Sequence, residues 1–385
     1  MTDLPARLVQ EFETRFHKVP VLTTAPGRIN LIGEHVDYNE GFVLPAAIDR
    51  HLVFAIAANG SDRCTIHSLD FDETVSFSFS ELKPGSQWVN YLMGVAEGFL
   101  RRGIQLQGVD CVFGGTIPSG AGLSSSAALC CGFAFALNHL HQANFNRLDL
   151  ARISQFSEHE FAEVKCGLMD QYAVLFGESD SVLLLDCRAM THEAIHFPTS
   201  ACSIMLVDTH VKHSLASSAY NERRADCEEG VALLRKLLPG IKSLHDVSAA
   251  QLERCRDRLP AAIFKRCQFI TQEIARTRHA AQALKDSDLT AFGQYMFESH
   301  AGLRDRYEVS CPELDLLVDL AAKRPDIVLG GRLMGGGFGG CTINLIWPDK
   351  EMEFKELIAT DYFTSFRINP EFLPVKLSQG IHLIS

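Results

Sequence analysis

Three consecutive serines, Ser124, Ser125 and Ser126, follow Gly120 and Gly122 in the stretch GGTIPSGAGLSSSAAL (114–129). Glycines let backbone N–H groups close on an anion. Serine hydroxyls can cap a helix, bind phosphate oxygens or reach a metal ion. An apolar helical pattern starts near Leu123, so the positive end of a helix dipole points at the same place. Gly120 and Gly122 would leave room for backbone N–H groups to approach such an anion. The lysine of the common G-x-x-x-x-G-K-[ST] loop is missing, however, since Ala121 follows Gly120. The competing reading is a plain helix N-cap, for which one serine suffices.

A second chemical cluster is APGRINLIGEHVDYNEGFVLP (25–45), where Arg28, Glu34, His35 and Asp37 fall within ten residues. Ile29, Leu31 and Ile32 around Asn30 read as a short half-buried strand leading into a polar turn. Two acids and a histidine suit a polyhydroxylated ligand, because a carboxylate accepts two hydrogen bonds from neighbouring hydroxyls. A solvated turn explains the same residues equally well. A third cluster, GGRLMGGGFGG (330–340), has seven glycines in eleven positions. It reads as a sharp hairpin, or as backbone packed closely on another segment, such as the 120–126 loop.

These clusters need elements to carry them. Residues 5–17 read as an amphipathic helix with Leu8, Val9, Phe12 and Phe16 at helical spacing. Segments 52–58, 64–69, 74–80 and 109–115 read as strands, and 122–141 as a helix apolar on nearly every face, hence buried. A helix over 147–161 and buried strands over 181–187 and 202–209 follow. Segments 217–237 and 265–285 read as charged helices, and 326–346 as strand, glycine loop and strand. The pattern is α+β, with antiparallel strands and long helices. The character shifts after about residue 210, and Pro198 and Thr199 follow a strand, which suggests domains of 1–200 and 201–385.

The chain has 385 residues, 46% of them hydrophobic, and a formal net charge of −11. That charge argues against a nucleic-acid partner but not against a small anionic ligand at a local site. Its 12 cysteines include no C-x-x-C pair, so a reduced, cytoplasmic setting is expected. The first residues show no signal-peptide pattern, and no apolar run is long enough to span a membrane.

Taken together, GRINLIGEHVDYNEG, PSGAGLSSSA and LMGGGFGGC, with WVNYLMGV (88–95), CGLMDQ (166–171), SLASSAYNERR (214–224) and YEVSCPELD (307–315), resemble the galactokinase family. That family lies within a wider group holding homoserine, mevalonate and phosphomevalonate kinases. The resemblance runs in order along nearly the whole chain. It implies an N-terminal domain like domain 2 of ribosomal protein S5 and a ferredoxin-like C-terminal domain, with the active site between them. It further implies that Gly120 to Ser126 wrap the phosphates of ATP, that Ser126 and Glu158 hold Mg2+, and that Trp88 and Tyr91 lie near the adenine. Glu34, His35, Val36, Asp37, Gly167 and Tyr220 would contact the sugar. Asp170 would be the catalytic carboxylate and Arg28 its partner.

The implied reaction is ATP-dependent phosphorylation of the anomeric hydroxyl of α-D-galactose by a monomer. Alternatives are a sugar 1-kinase for N-acetylgalactosamine or arabinose, and a non-catalytic galactose and ATP sensor. One departure stands out: Glu163 occupies a position where the family commonly has glycine.

Overall fold

The helix expected over 5–17 is α1 (Leu4–Phe16). Its Leu8 and Phe12 are fully buried against Val53, Ala55 and Val112, while its polar face is left to solvent. The computed structural model describes residues 4–85, 88–118, 120–212 and 216–384. Ser119 of the serine-rich motif and Ser214 and Leu215 of the 214–224 motif lie outside the described residues.

The chain continues through β1 (Val21–Asn30), β2 (Phe42–Val43), β3 (Pro45–Ala58), β4 (Arg63–Ser68), β5 (Glu73–Ser78) and α2 (Val89–Leu100). Then come β6 (Val109–Gly115), α3 (Ser125–Leu140), α4 (Arg147–Phe161), α5 (Met169–Phe176), β7 (Ser181–Asp186), β8 (Thr191–His196) and β9 (Ser203–Lys212). The remainder comprises α6 (Ala216–Arg235), α7 (Ala249–Arg254), α8 (Ala261–Lys285), α9 (Leu289–Gly302), α10 (Pro312–Ala322), β10 (Val328–Leu333), β11 (Gly339–Ile346), α11 (Glu351–Phe366), β12 (Glu371–Val375) and β13 (His382–Ile384).

A six-stranded sheet runs in the order β13-β1-β3-β6-β4-β5. All its neighbours are antiparallel except β4 and β6. The apolar helix α3 lies on this sheet. Its Gly132 is flush against β3, since a Cβ there would overlap the Phe54 ring. Phe133 and Leu137 of α3 are fully buried in the same core, where Phe to Ala costs about 3–5 kcal/mol.

A second, four-stranded sheet has the order β10-β11-β9-β12, antiparallel throughout. Numbered in chain order these strands read 2-3-1-4 across the sheet, the ferredoxin-like arrangement, with helices between the first and second strands and the third and fourth. Gly293 of α9 and Gly330 of β10 let that helix approach the sheet closely, because a Cβ on either would overlap the other segment's backbone. A three-stranded sheet, β2-β7-β8, completes the molecule. The two-domain α+β class is therefore as expected.

Several elements differ in extent from the expectation, β1 (Val21–Asn30) and α8 (Ala261–Lys285) among them. β3 starts at Pro45 rather than residue 52, and of the added residues Pro45, Ala46, Ala47 and His51 pair with β1. β8 was not anticipated, because its exposed residues offer little apolar alternation. The helix expected from 122 begins at Ser125, because Gly120, Gly122 and Ser124 all adopt positive φ. In none of the described helices is there a segment long and apolar enough to cross a membrane.

Candidate active site

The register of β1 against β3 shifts between Pro26 and Arg28. Proline has no N–H for the ladder, and a bulge re-aims the side chain that follows it. The Arg28 backbone N–H instead donates to the Leu123 carbonyl at 3.2 Å. Its guanidinium turns into the molecule and grips Asp170 bidentately, Nε to Oδ1 and Nη2 to Oδ2 both at 2.7 Å, while Nη1 donates to the Gly122 carbonyl at 2.6 Å. Burial alone would weaken the Arg28 charge, but Asp170, Glu34 and Glu158 more than offset it and raise its pKa.

Asp170 sits in the first turn of α5. It also accepts a short hydrogen bond from the Ser124 hydroxyl. Ser124 holds a left-handed φ of 54° and its side chain does not cap α3. The plain N-cap reading therefore fails. The serine expected to cap serves Asp170, and the first N–H groups of α3 have no side-chain partner. Unpaired N–H groups at a helix start attract anions. The second glycine cluster does lie over this loop: Cβ atoms built on Gly335 and Gly340 would fall 3.9 Å from the Gly122 carbonyl and 4.0 Å from the Gly120 carbonyl.

Asp170 opens onto a cavity of about 180 Å3, which Arg28, Glu34, His35, Asp37, Ser126, Glu158, Gly167 and Tyr220 also line. Two roomier hollows, of about 420 and 600 Å3, flank α8 but bring together no such set of inward acids. Asp37 is drawn to a pKa of about 7 by burial and then by the charge of Asp170. The Asp37 and Asp170 carboxylates thus converge on one space. Burial lowers the His35 pKa to about 4, so its ring is neutral near pH 7.

Glu158, on α4, is 5% exposed, and burial followed by Asp170 raises its pKa to about 7. The Cys166 thiol donates to its Oε2 at 3.4 Å, while its buried Oε1 has no hydrogen-bond partner. A buried carboxylate with an unpaired oxygen beside a serine hydroxyl suits a hard divalent cation.

Other expected residues stand farther off. Val36 is fully buried core and does not line the cavity. Ala121 and Leu123 bury their side chains, leaving only backbone to the loop. Trp88 packs edge-on against Phe113 at 5.2 Å and stacks with Phe71 at 6.4 Å, with its indole N–H on Glu73. The Tyr91 hydroxyl is close enough to Glu158 to feel its charge.

Two supports were not anticipated. Arg332, fully buried on β10, donates to the Glu34 carboxylate at 2.9 Å and to the carbonyls of Leu31, Asn30 and Leu333. It ties the second sheet to the polar turn, and Gly335 N–H adds a bond to the same Glu34 oxygen at 2.9 Å. Only the polar residue in the otherwise apolar and glycine-rich VLGGRL hinted at it. Glu273 likewise accepts from the Gly33 N–H and the Ser299 hydroxyl.

Comparison with known proteins agrees with this geometry. Residues 10–58 match the family profile "Galactokinase galactose-binding signature", 90–178 match "GHMP kinases N terminal domain" and 280–359 match "GHMP kinases C terminal". The chain is 42% identical to a galactokinase of Chloroflexus aggregans over 91% of this chain and 90% of the relative. It is 39% identical to that of Thermotoga petrophila, over 94% and 99%. The chain belongs to the galactokinase family.

Among solved structures, Lactococcus lactis galactokinase complexed with galactose superimposes with a TM-score of 0.96 at 31% identity, over 99% of this chain and 100% of that one. A mevalonate kinase, at TM-score 0.64 and 18% identity over 93% and 99%, shares the fold. The galactokinase-signature segment contains the Arg28 bulge and the Glu34 to Asp37 turn. The glycine expected of galactokinases at position 163 has a geometric reason, because Glu163 adopts a left-handed φ of 57°. The segment is held by α6: Arg224 donates to the Lys165 carbonyl at 2.6 Å and Asn221 to that of Glu163 at 3.5 Å.

Proposed function

We propose that the chain catalyses ATP-dependent phosphorylation of the anomeric hydroxyl of α-D-galactose, giving galactose 1-phosphate and ADP. One observation carries this reading. The Arg28-held Asp170 carboxylate faces the same cavity as Glu34, His35 and Asp37 on one side and Ser126 and Glu158 on another.

Phosphoryl transfer depends mainly on positioning and charge neutralisation. Glu34, Asp37 and Tyr220 orient the sugar through its hydroxyls, and Gly167 leaves the room they need. Asp170 accepts or orients the proton of the reacting hydroxyl. Arg28 fixes both oxygens of Asp170 and adds fixed positive charge to the site. Gly120 to Ser126 offer backbone N–H groups and hydroxyls to the nucleotide phosphates, while Trp88 and Tyr91 lie toward the adenine. Ser126 and Glu158 would hold Mg2+, which neutralises phosphate charge when bound. The positive charge missing from the loop, which has no lysine, would thus come from Arg28 and from the Mg2+ that Ser126 and Glu158 hold.

The proposed site is complete within one chain, so this reading needs no second subunit. The twelve cysteines are all free, which supports a reducing, cytoplasmic location. The strands of the ferredoxin-like sheet all lie beyond residue 202, which supports a domain boundary near 200.

The test is ADP release by the purified protein with galactose, glucose, arabinose and N-acetylgalactosamine, alongside Asp170→Asn. Galactose is expected to be the preferred acceptor. Asp170→Asn should fold and bind both substrates but lose roughly 10²-fold or more in turnover. Preference for another sugar, or binding without turnover, would overturn the reading.

A further inference from the structure

His35 lines the cavity, yet both of its ring nitrogens already face protein groups. Nδ1 lies 2.8 Å from the Tyr38 hydroxyl and Nε2 lies 3.3 Å from the Gly336 carbonyl. The Tyr38 hydroxyl lies 2.8 Å from that of Tyr307, which in turn lies 3.2 Å from the Cys227 sulfur. Tyr307 and Cys227 are buried, at 0% and 2% exposure. The chain thus joins the polar turn, α6 and a π-helical turn (Leu303–Tyr307) to the second glycine loop. π turns are uncommon and cluster at functional places.

The carbonyl at the far end sets the direction of the chain. Gly336 oxygen only accepts, so Nε2 must carry the proton. The ring is neutral, so Nδ1 is an acceptor and the Tyr38 O–H must donate to it. The Tyr38 oxygen then takes the Tyr307 proton. The opposite order, with Tyr307 donating to the Arg223 carbonyl at 3.4 Å, would set an Nε2 lone pair against the Gly336 oxygen.

We propose that Tyr38 and Tyr307 are positioning residues that hold His35 as its Nε2–H tautomer, so that the sugar pocket meets its ligand with a donor at that atom. The Gly336 bond is long enough for a ligand oxygen to compete for the same proton. The Tyr220 ring, tilted 37° to that of His35 with its centroid 5.2 Å away, packs against the imidazole and restricts its plane. The role in sugar binding rests on the proposed function; the tautomer does not.

Nitrogen-15 NMR of histidine-labelled protein tests the assignment, with the His35 signal identified by its loss in His35→Gln. In the unsubstituted protein Nδ1 should be unprotonated and Nε2 protonated. Tyr38→Phe and Tyr307→Phe should each shift that ratio. Both should raise the sugar KM roughly fivefold, the loss of one neutral hydrogen bond, with ATP KM and kcat within about twofold. A protonated Nδ1 in the unsubstituted protein, or an unmoved tautomer in both variants, would overturn the proposal. So would a shifted tautomer with an unmoved sugar KM. An Nε2–H tautomer in a protein that does not phosphorylate galactose would support the relay while refuting the substrate.

Discussion

The Asp37 carboxylate occupies the space in which a Gly167 side chain would begin, so that a Cβ built there would overlap Asp37 Oδ2. Two distant segments thus set each other's geometry, and the glycine is required by its neighbour rather than by its own φ. Gly167→Ala should push Asp37 out of place at a cost of about 1–3 kcal/mol and raise the sugar KM about tenfold or more. Steady-state kinetics with circular dichroism as a folding control checks this. An unmoved sugar KM would show that the site adapts.

Arg332 of the second sheet and Glu34 of the polar turn after β1 form a fully desolvated pair. Removing one member leaves the other charge buried, which costs about 3–5 kcal/mol. Arg332→Met should therefore destabilise the protein by that amount in denaturant unfolding. Arg332→Met with Glu34→Gln should recover part of the loss, since the uncompensated charge is gone. A single variant as stable as the unsubstituted protein would refute the coupling.

Metal binding supplies a third test. Glu158→Gln keeps the shape of the side chain but removes its charge. The Mg2+ concentration needed for half-maximal activity should rise about tenfold or more, while the sugar KM stays close to its original value. An unchanged Mg2+ requirement would take Glu158 out of the metal site.

Stability should respond to pH through the same acids. Asp37 and Glu158 move from ordinary values of 3.8 and 4.5 to about 7 in the folded chain. Between those values the folded state holds more protons than the unfolded one, so their contribution is full at low pH and is lost as pH rises through 7. His35, lowered from 6.5 to about 4, acts oppositely, losing stability as pH falls through that range. Comparison with Asp37→Asn and Glu158→Gln cancels that background. Each variant should gain unfolding free energy relative to the ligand-free parent as pH rises from about 5 to 8, by up to roughly 3 kcal/mol per group. A difference that is flat across pH would refute the shifts.

Much of the site was legible because its chemistry is local. Glycines before a serine run and acids clustered in a turn marked two places by residue type, each with a plain cap or turn as its rival, whereas Glu158, Gly167, Asp170 and Tyr220 were legible only through the family resemblance. Arg332 was not legible, because a single arginine in a strand carries no signal until the strand opposite is known. The role of Ser124 was hidden for a related reason. Helix capping and binding to a distant carboxylate need the same hydroxyl, and only the left-handed turn before α3 decides between them.

Local sequence, through side-chain periodicity and backbone preference, thus determined the α+β class, the buried helix α3, and where the glycine-serine loop and the acidic turn fall along the chain. The tertiary structure decided what meets what: Arg28 with Asp170 through the β1 bulge, Asp37 with Gly167, and Glu34 of the polar turn with Arg332 of the second sheet. Those pairings depend on register shifts and close approaches between remote segments. Electrostatic energy changes steeply over such distances, whereas residue order along the chain does not record them.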